Sequence, residues 1–284
     1  MRITTIETGY FKLDGGAMFG IVPKSLWSRL NPPDDNNLCT WSMRCLLIET
    51  GDRKILVDTG LGDKQDDKFR SHFEPHGDES LLGSIAAQAI RPEEITDVFL
   101  THLHFDHVGG AVQRTAEDKL LPTFPNATYW SNDRHWQWAM EPNAREKASF
   151  LKENFVPLKE QGRLQLLDVQ KDLLPWIPGI DIQYVYGHTE AMMLLHIQVG
   201  QQKVVYCADL LPSSFHIGLP YIMSYDLRPL VTLDEKTKLL EQAYAEGWIL
   251  CFEHDPTVAC LQLEKNARGR IIGGTPKELS DFLA

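Results

Sequence analysis

Apolar residues along this chain gather in short runs that stop abruptly at a polar or glycine-rich turn. "KILVDTGLG" does so at Lys54 to Gly62, "TDVFLTHLHFDH" at Thr96 to His107 and "IQYVYGHT" at Ile182 to Thr189. "KVVYCADL" at Lys203 to Leu210 and "WILCFEHD" at Trp248 to Asp255 repeat the pattern. Runs this short, rich in β-branched residues and apolar without alternation, read as strands buried on both faces, each with a loop at its carboxyl end. Helical patterns fall between them. Ser80 is placed to cap a helix over roughly 81–90, Pro92 with Glu93 and Glu94 opens a short turn, and 143–154 and 233–246 carry helix-forming residues. The mixture predicts an α/β or α+β fold in which several strands deliver residues to one end.

Composition narrows the classes. With 284 residues, 43% hydrophobic and 24% charged, the chain buries a sizeable core without metal or disulfide staples, so a bound metal is expected to be catalytic. The formal net charge of −11, from 28 basic and 39 acidic residues, offers no general footprint for nucleic acid. No segment approaches the roughly 20 apolar residues of a membrane span, and the amino terminus lacks the apolar core of a signal peptide. Cys39, Cys45, Cys207, Cys251 and Cys260 form no CxxC pair and mostly adjoin apolar runs, as small buried hydrophobes do in a reducing compartment. A cytoplasmic protein with a small-molecule substrate is expected, with a homodimer admitted but not required. No linker or repeat divides the chain, so 1–284 is read as one domain carrying an inserted helical and aromatic segment at about 130–176.

The chemistry concentrates in "VFLTHLHFDHVGG", where His102, His104, Asp106 and His107 occupy six positions. In extended chain His102 and His104 point the same way, and Gly109 with Gly110 lets the backbone turn around a small object. Imidazole nitrogen and carboxylate oxygen without a cysteine suit zinc and similar divalent ions at a catalytic rather than a structural site. His188 in "GHT", Asp209 in "ADL" and His254 in "EHD" each take the first polar place after an apolar run. Together these five histidines and two aspartates suffice for two metals sharing a carboxylate.

With "VDTG", "THLHFDHVGG", "GHT", "AD" and "EHD" in this order, the chain resembles the metallo-β-lactamase-fold hydrolases over roughly 44–255. The resemblance implies an αββα sandwich, two mixed β-sheets with helices on the outer faces. It implies one metal held by His102, His104 and His188, a second held by Asp106, His107 and His254, and Asp209 bridging the two. The ions would be two divalent cations, zinc first and manganese or iron as alternatives. A hydroxide shared by ions about 3.5–4 Å apart is nucleophilic near neutral pH, and Asp106 is the residue placed to shuttle protons. Asp58 in "DTG" matches a family position beside the site rather than among the ligands.

Within the family, zinc β-lactamases commonly have Cys where Asp209 stands, and flavodiiron proteins typically have Glu in place of His104. The closest resemblance is to the quorum-quenching lactonases and the methyl parathion hydrolase group, which implies a small, fairly apolar ester, lactone or phosphotriester as substrate. A thioesterase like glyoxalase II, or a di-iron redox protein on the same fold, are the alternatives. The lactonases best known for acyl-homoserine lactones carry Tyr three positions after the bridging Asp; here that position is Pro212. His216 or Tyr221 would have to replace it. The insertion contains "YWSNDRHWQWAM", whose Trp136 either walls an apolar pocket or packs an added helix, and Phe215 poses the same choice. His72, His76, His135, His196 and His216 lack ligand context and read as surface or packing residues.

Overall fold

The computed structural model describes residues 1–169 and 173–283. It divides into two compact units, one comprising Met1–Gly9 with Met43–Gln170, the other Tyr10–Ser42 with Lys171–Ala284. Positions 170–172 of the expected insertion lie outside the described residues.

Unit one is built on a six-stranded mixed sheet: β1 (Arg2–Ile6), β2 (Cys45–Thr50), β3 (Arg53–Val57), β4 (Asp97–Phe99), β5 (Thr128–Asn132) and β6 (Leu164–Leu167), in that spatial order. β1, β2 and β3 pair antiparallel, and β3 to β6 run parallel. The parallel centre explains the apolar runs: Ile55, Leu56, Val57, Val98 and Phe99 are all fully buried, as strands covered on both faces require. Edge strand β1 instead buries Ile3 and Ile6 with half-exposed threonines between them. The core packs Leu56, Val98 and Tyr129 against Phe124, Trp136, Phe150 and Phe155.

Unit two carries a seven-stranded sheet, β7 (Leu173–Ile177), β8 (Ile180–Val185), β9 (Met192–Val199), β10 (Gln202–Tyr206), β11 (Ile249–Cys251), β12 (Cys260–Lys265) and β13 (Ile271–Gly273), again in chain order. Among the described residues of this sheet only β10 and β11 pair in parallel, and a parallel pair needs a long crossover, here containing the helix Pro229–Glu246. That helix buries Thr232, Lys236, Leu239, Leu240 and Ala243 along one face and ends at Gly247, whose left-handed φ of 68° closes the last turn onto Ala243. Residues Tyr10–Asp14 and Leu38–Ser42 form a separate antiparallel ribbon.

The five expected strands appear as β3, β4, β8, β10 and β11. Ser80 Oγ caps the helix Leu81–Ala87 by accepting from the Gly83 N–H, and Pro92–Glu94 makes a single 3-10 turn. The helix expected over 233–246 begins earlier, because Pro229 takes a first-turn position where no N–H is needed. The helix expected over 143–154 does not form. Asn143 caps a single turn, its Oδ1 accepting the Arg145 and Glu146 N–H groups and its carbonyl the Lys147 N–H, but the Ser149 carbonyl then goes to the Phe105 N–H instead of continuing the helix, and only the 3-10 turn Lys152–Asn154 follows. The aromatic segment is also less helical than expected, for it opens on β5 and contains β6 around the helix Asp133–Met140.

Candidate metal centre

In unit one the chain leaves β4 and passes directly through Thr101, His102, Leu103 and His104 into the short helical turn Phe105–Val108. Asp58, just beyond β3, organises this passage. Its Oδ1 accepts from the Thr101 N–H at 2.8 Å, and its Oδ2 accepts from Thr101 Oγ1 at 2.7 Å and from His107 Nδ1 at 3.1 Å. Since Thr101 Oγ1 spends its proton on Asp58, it receives one from His102 Nδ1 at 3.1 Å. That leaves His102 Nε2 as a lone pair, 3.0 Å from His104 Nδ1. The far nitrogen of His104, Nε2, faces Glu146 Oε1 at 3.4 Å. His107 Nε2, also left without a proton, lies 3.8 Å from Asp106 Oδ2. Gly109 follows because a Cβ there would lie 1.9 Å from the Leu61 carbonyl oxygen.

In unit two the candidate ligands follow β8, β10 and β11. His188 Nδ1 donates to Asp226 Oδ1 at 2.9 Å, and its Nε2 stands 3.1 Å from Asp209 Oδ2. His254 Nδ1 donates to the Ser42 carbonyl at 2.8 Å, and its Nε2 stands 3.1 Å from Asp209 Oδ1. Asp209 thus turns one oxygen to each imidazole, the disposition a bridging carboxylate needs. Gly187 precedes His188 because any Cβ would strike Thr232 of the crossover helix, 2.2 Å from its hydroxyl. The N–H groups of Tyr186 and Gly187 are held by Glu235 at 2.7 and 3.0 Å. Burial raises the pKa of Asp226, which His188 opposes.

Asp58 and Ala208 adopt left-handed φ values of 57° and 42°. Such backbone is sparsely populated for non-glycine residues and gathers at functional sites; here each lies just past a strand end, beside candidate ligands. All seven proposed ligands are buried.

The donor set tests the fit of a cation in each half. Assigned by their partners, His102 Nε2, His188 Nε2 and His254 Nε2 are acceptors. The first faces another imidazole nitrogen, and the other two face carboxylate oxygens, at 3.0–3.1 Å. Acceptors so close repel unless a proton or a cation lies among them, and neutral imidazoles with carboxylate oxygens are the ligand chemistry of a divalent ion.

The residues expected at the substrate side separate. Trp136 lies in the core of unit one, edge-on to Phe155 at 5.5 Å and under the Lys159 ammonium at 4.6 Å. His216 is buried with both nitrogens engaged, Nδ1 by Ser213 Oγ at 2.7 Å and Nε2 by the Met18 carbonyl at 2.9 Å. Burial depresses its pKa to about 3. Both side chains are thus buried and engaged within the protein. Phe215 and Tyr221 are only partly buried and flank Phe19, at 6.5 and 6.1 Å. Pro212 spends its carbonyl on the His254 N–H at 2.9 Å. His72 and His76 are exposed, whereas His135 and His196 are buried packing residues.

Sequence reasoning missed Glu146, Asp226, Glu235 and the Ser42 carbonyl. None sits in a motif. An acid three residues after Asn143 is the only local mark of Glu146, and its burial shows only in the structure.

The chain belongs to the metallo-beta-lactamase superfamily, whose sequence profile matches residues 44–254 and so runs through every candidate ligand. It is a metallo-hydrolase of that superfamily. An N-acyl homoserine lactonase of Bacillus cereus is 24% identical over 264 residues, covering 88% of this chain and 94% of the relative. The N-acyl homoserine lactonase of Bacillus thuringiensis is 24% identical over 277 residues, with coverages of 93% and 97%. Among solved structures, a "probable metal-dependent hydrolase" from Staphylococcus aureus superposes with a TM-score of 0.86 at 24% identity over 97% of this chain and 98% of that one. The dizinc quorum-quenching lactonase AidC, in complex with a product, gives 0.78 at 21% identity, with coverages of 98% and 94%. Among the described residues no helix is long and apolar enough to cross a membrane.

Proposed function

We propose that the protein is a dinuclear metal-dependent hydrolase that opens small, fairly apolar lactones, with esters and phosphotriesters as the neighbouring substrate class. The observation that carries the metal reading is the set of imidazole lone pairs, each turned on another acceptor and each fixed by a donor bond at the opposite ring nitrogen. The lactone reading is supported by the curated relatives, which are named as lactonases.

As the family resemblance implies, His102, His104 and His188 would hold one ion, Asp106, His107 and His254 would hold the other, and Asp209 would serve both. Zinc is the expected metal, as in the dizinc neighbour. When bound, the ions lower the pKa of water, polarise the acyl or phosphoryl oxygen and stabilise the leaving oxygen. The chain's own work is orientation and proton handling. Thr101, Asp58, Asp226 and Ser42 fix the tautomers of His102, His107, His188 and His254. Ring opening adds water across the acyl C–O bond, and the Asp106 carboxylate takes the proton of the attacking water and returns it to the leaving oxygen. Phe215 and Tyr221 supply the apolar side of the substrate surface. The free thiols of all five cysteines support a reducing compartment, the cytoplasm.

The test is a panel of lactones, phosphotriesters, thioesters and β-lactams, assayed with zinc, manganese and iron forms. Lactone turnover is expected to be lost on chelation and restored by two equivalents of metal. Binding of only one ion per chain would overturn the dinuclear reading. Preferential thioester cleavage, or a visible absorption band with iron, would move the protein to a different class.

A further inference from the structure

The tryptophan-rich segment after β5 has a use other than lining a pocket. Asn132 Oδ1 caps the helix Asp133–Met140 on the His135 N–H at 2.8 Å. His135 Nε2 then accepts the N–H of Leu103, the residue between two proposed ligands, at 2.8 Å. Past the helix, Asn143 turns the chain back and brings Glu146, 3% exposed, against His104. Glu146 Oε2 accepts from Trp138 Nε1 at 2.6 Å and from Asn143 Nδ2 at 2.8 Å, which leaves Oε1 for His104 Nε2 at 3.4 Å. One segment therefore grips the His-x-His passage at two successive residues.

An imidazole offers a metal only the nitrogen that carries no proton, and its other nitrogen's partner decides which one that is. We propose that Glu146 is a positioning residue that holds His104 in its Nε2–H tautomer, leaving Nδ1 as the ligand atom. This rests on the reading of His104 as a metal ligand given above. Trp138 and Asn143 set the direction of the arrangement. An ionised carboxylate carries no proton, so with two donors steadying Oε2 it meets His104 through Oε1 as an acceptor.

A glutamine at 146 has nearly the same shape but the opposite polarity toward His104. Its carbonyl would turn to Trp138 and Asn143, since an amide NH2 there would face two donors, and its NH2 would point at His104 Nε2. His104 would then accept at Nε2 and carry its proton on Nδ1, the nitrogen that must bind metal. Glu146→Gln is accordingly a reversal of tautomer rather than a loss of packing.

The experiment uses the full chain, wild type and Glu146→Gln. Long-range proton–nitrogen spectra of the metal-free proteins report the tautomer of each ring. His104 is expected to carry a proton on Nε2 in the wild type, with or without a second on Nδ1 toward His102, and on Nδ1 alone in the variant. Competition titration with zinc is expected to weaken one of two ions by about 10–100-fold and to leave the other unchanged. The same tautomer in both proteins, or unaltered zinc affinity, overturns the proposal. So does a variant that melts lower without either change, which would make Glu146 a packing residue. If the wild type binds no zinc, the metal reading of His104 falls, while the tautomer spectra still decide what Glu146 does.

Discussion

Asp58 Oδ2 stands 3.1 Å from His107 Nδ1 and, through the same carboxylate, Asp58 also holds both polar groups of Thr101. One buried acid at the end of β3 thus joins the start and the end of the ligand-bearing passage. Asp58→Ala leaves three buried donors without their acceptor, at about 1–3 kcal/mol for each unsatisfied group. A loss on the order of 3 kcal/mol or more is expected in denaturant melts. Asp58→Asn tolerates the left-handed backbone and keeps one acceptor, so its loss is expected to be smaller. Equal losses for the two variants would show that the hydrogen bonds to Thr101 and His107 contribute little.

Asp106 separates chemistry from folding. Asp106→Asn is expected to lower kcat/KM for lactones by about 10²–10⁴-fold, the usual worth of a positioned proton acceptor, with little change in melting temperature. Unaltered turnover would remove Asp106 from the proton path.

Lys236 makes stability depend on alkaline pH. Its Nζ donates to the carbonyls of His216, Gly218 and Tyr221 at 2.9, 3.0 and 2.7 Å, and burial lowers its pKa from 10.5 to about 8. Between those two values the unfolded chain holds a proton that the folded chain has released, so stability rises with pH across that window. Below it, both states are charged and the cost of burying the ammonium is fully present. Comparing melts of wild type and Lys236→Met from pH 8 to 10, the wild type is expected to gain relative to the variant. Parallel pH profiles would contradict this.

Trp136 and Phe215 are expected to give opposite phenotypes. Trp136→Ala opens a cavity in the core of unit one and should cost about 3–5 kcal/mol, with KM of the folded fraction unchanged. Phe215→Ala is expected to raise KM for apolar substrates with a smaller loss of stability. Steady-state kinetics alongside melts distinguish them, and a raised KM in Trp136→Ala would return that residue to the substrate surface.

Much of this protein was legible as local pattern. Buried parallel strands need uninterrupted apolar runs, and the polar residue that ends such a run stands where a loop begins. His102, His188, Asp209 and His254 could be picked out on that ground. Even the helix Pro229–Glu246 was misjudged only at its start, where a proline's missing N–H costs nothing. The helix after Asn143 shows the limit of such reasoning: its first turn forms and is capped, but the Ser149 carbonyl is taken by the N–H of Phe105, a partner far back in the chain.

The sequence by itself determined which side chains could serve as ligands; tertiary structure decided which nitrogen of each histidine is engaged by a partner and which is left to do so. His104 depends on Glu146, 42 positions away, His188 on Asp226, 38 away, and His254 on a carbonyl 212 away at Ser42. Hydrophobic periodicity is a property of neighbours in the chain, and a few residues suffice to display it. A hydrogen-bond partner is a property of where the chain returns, and a carbonyl or a lone acid carries no mark of that until the fold brings it within 3 Å or so of its donor.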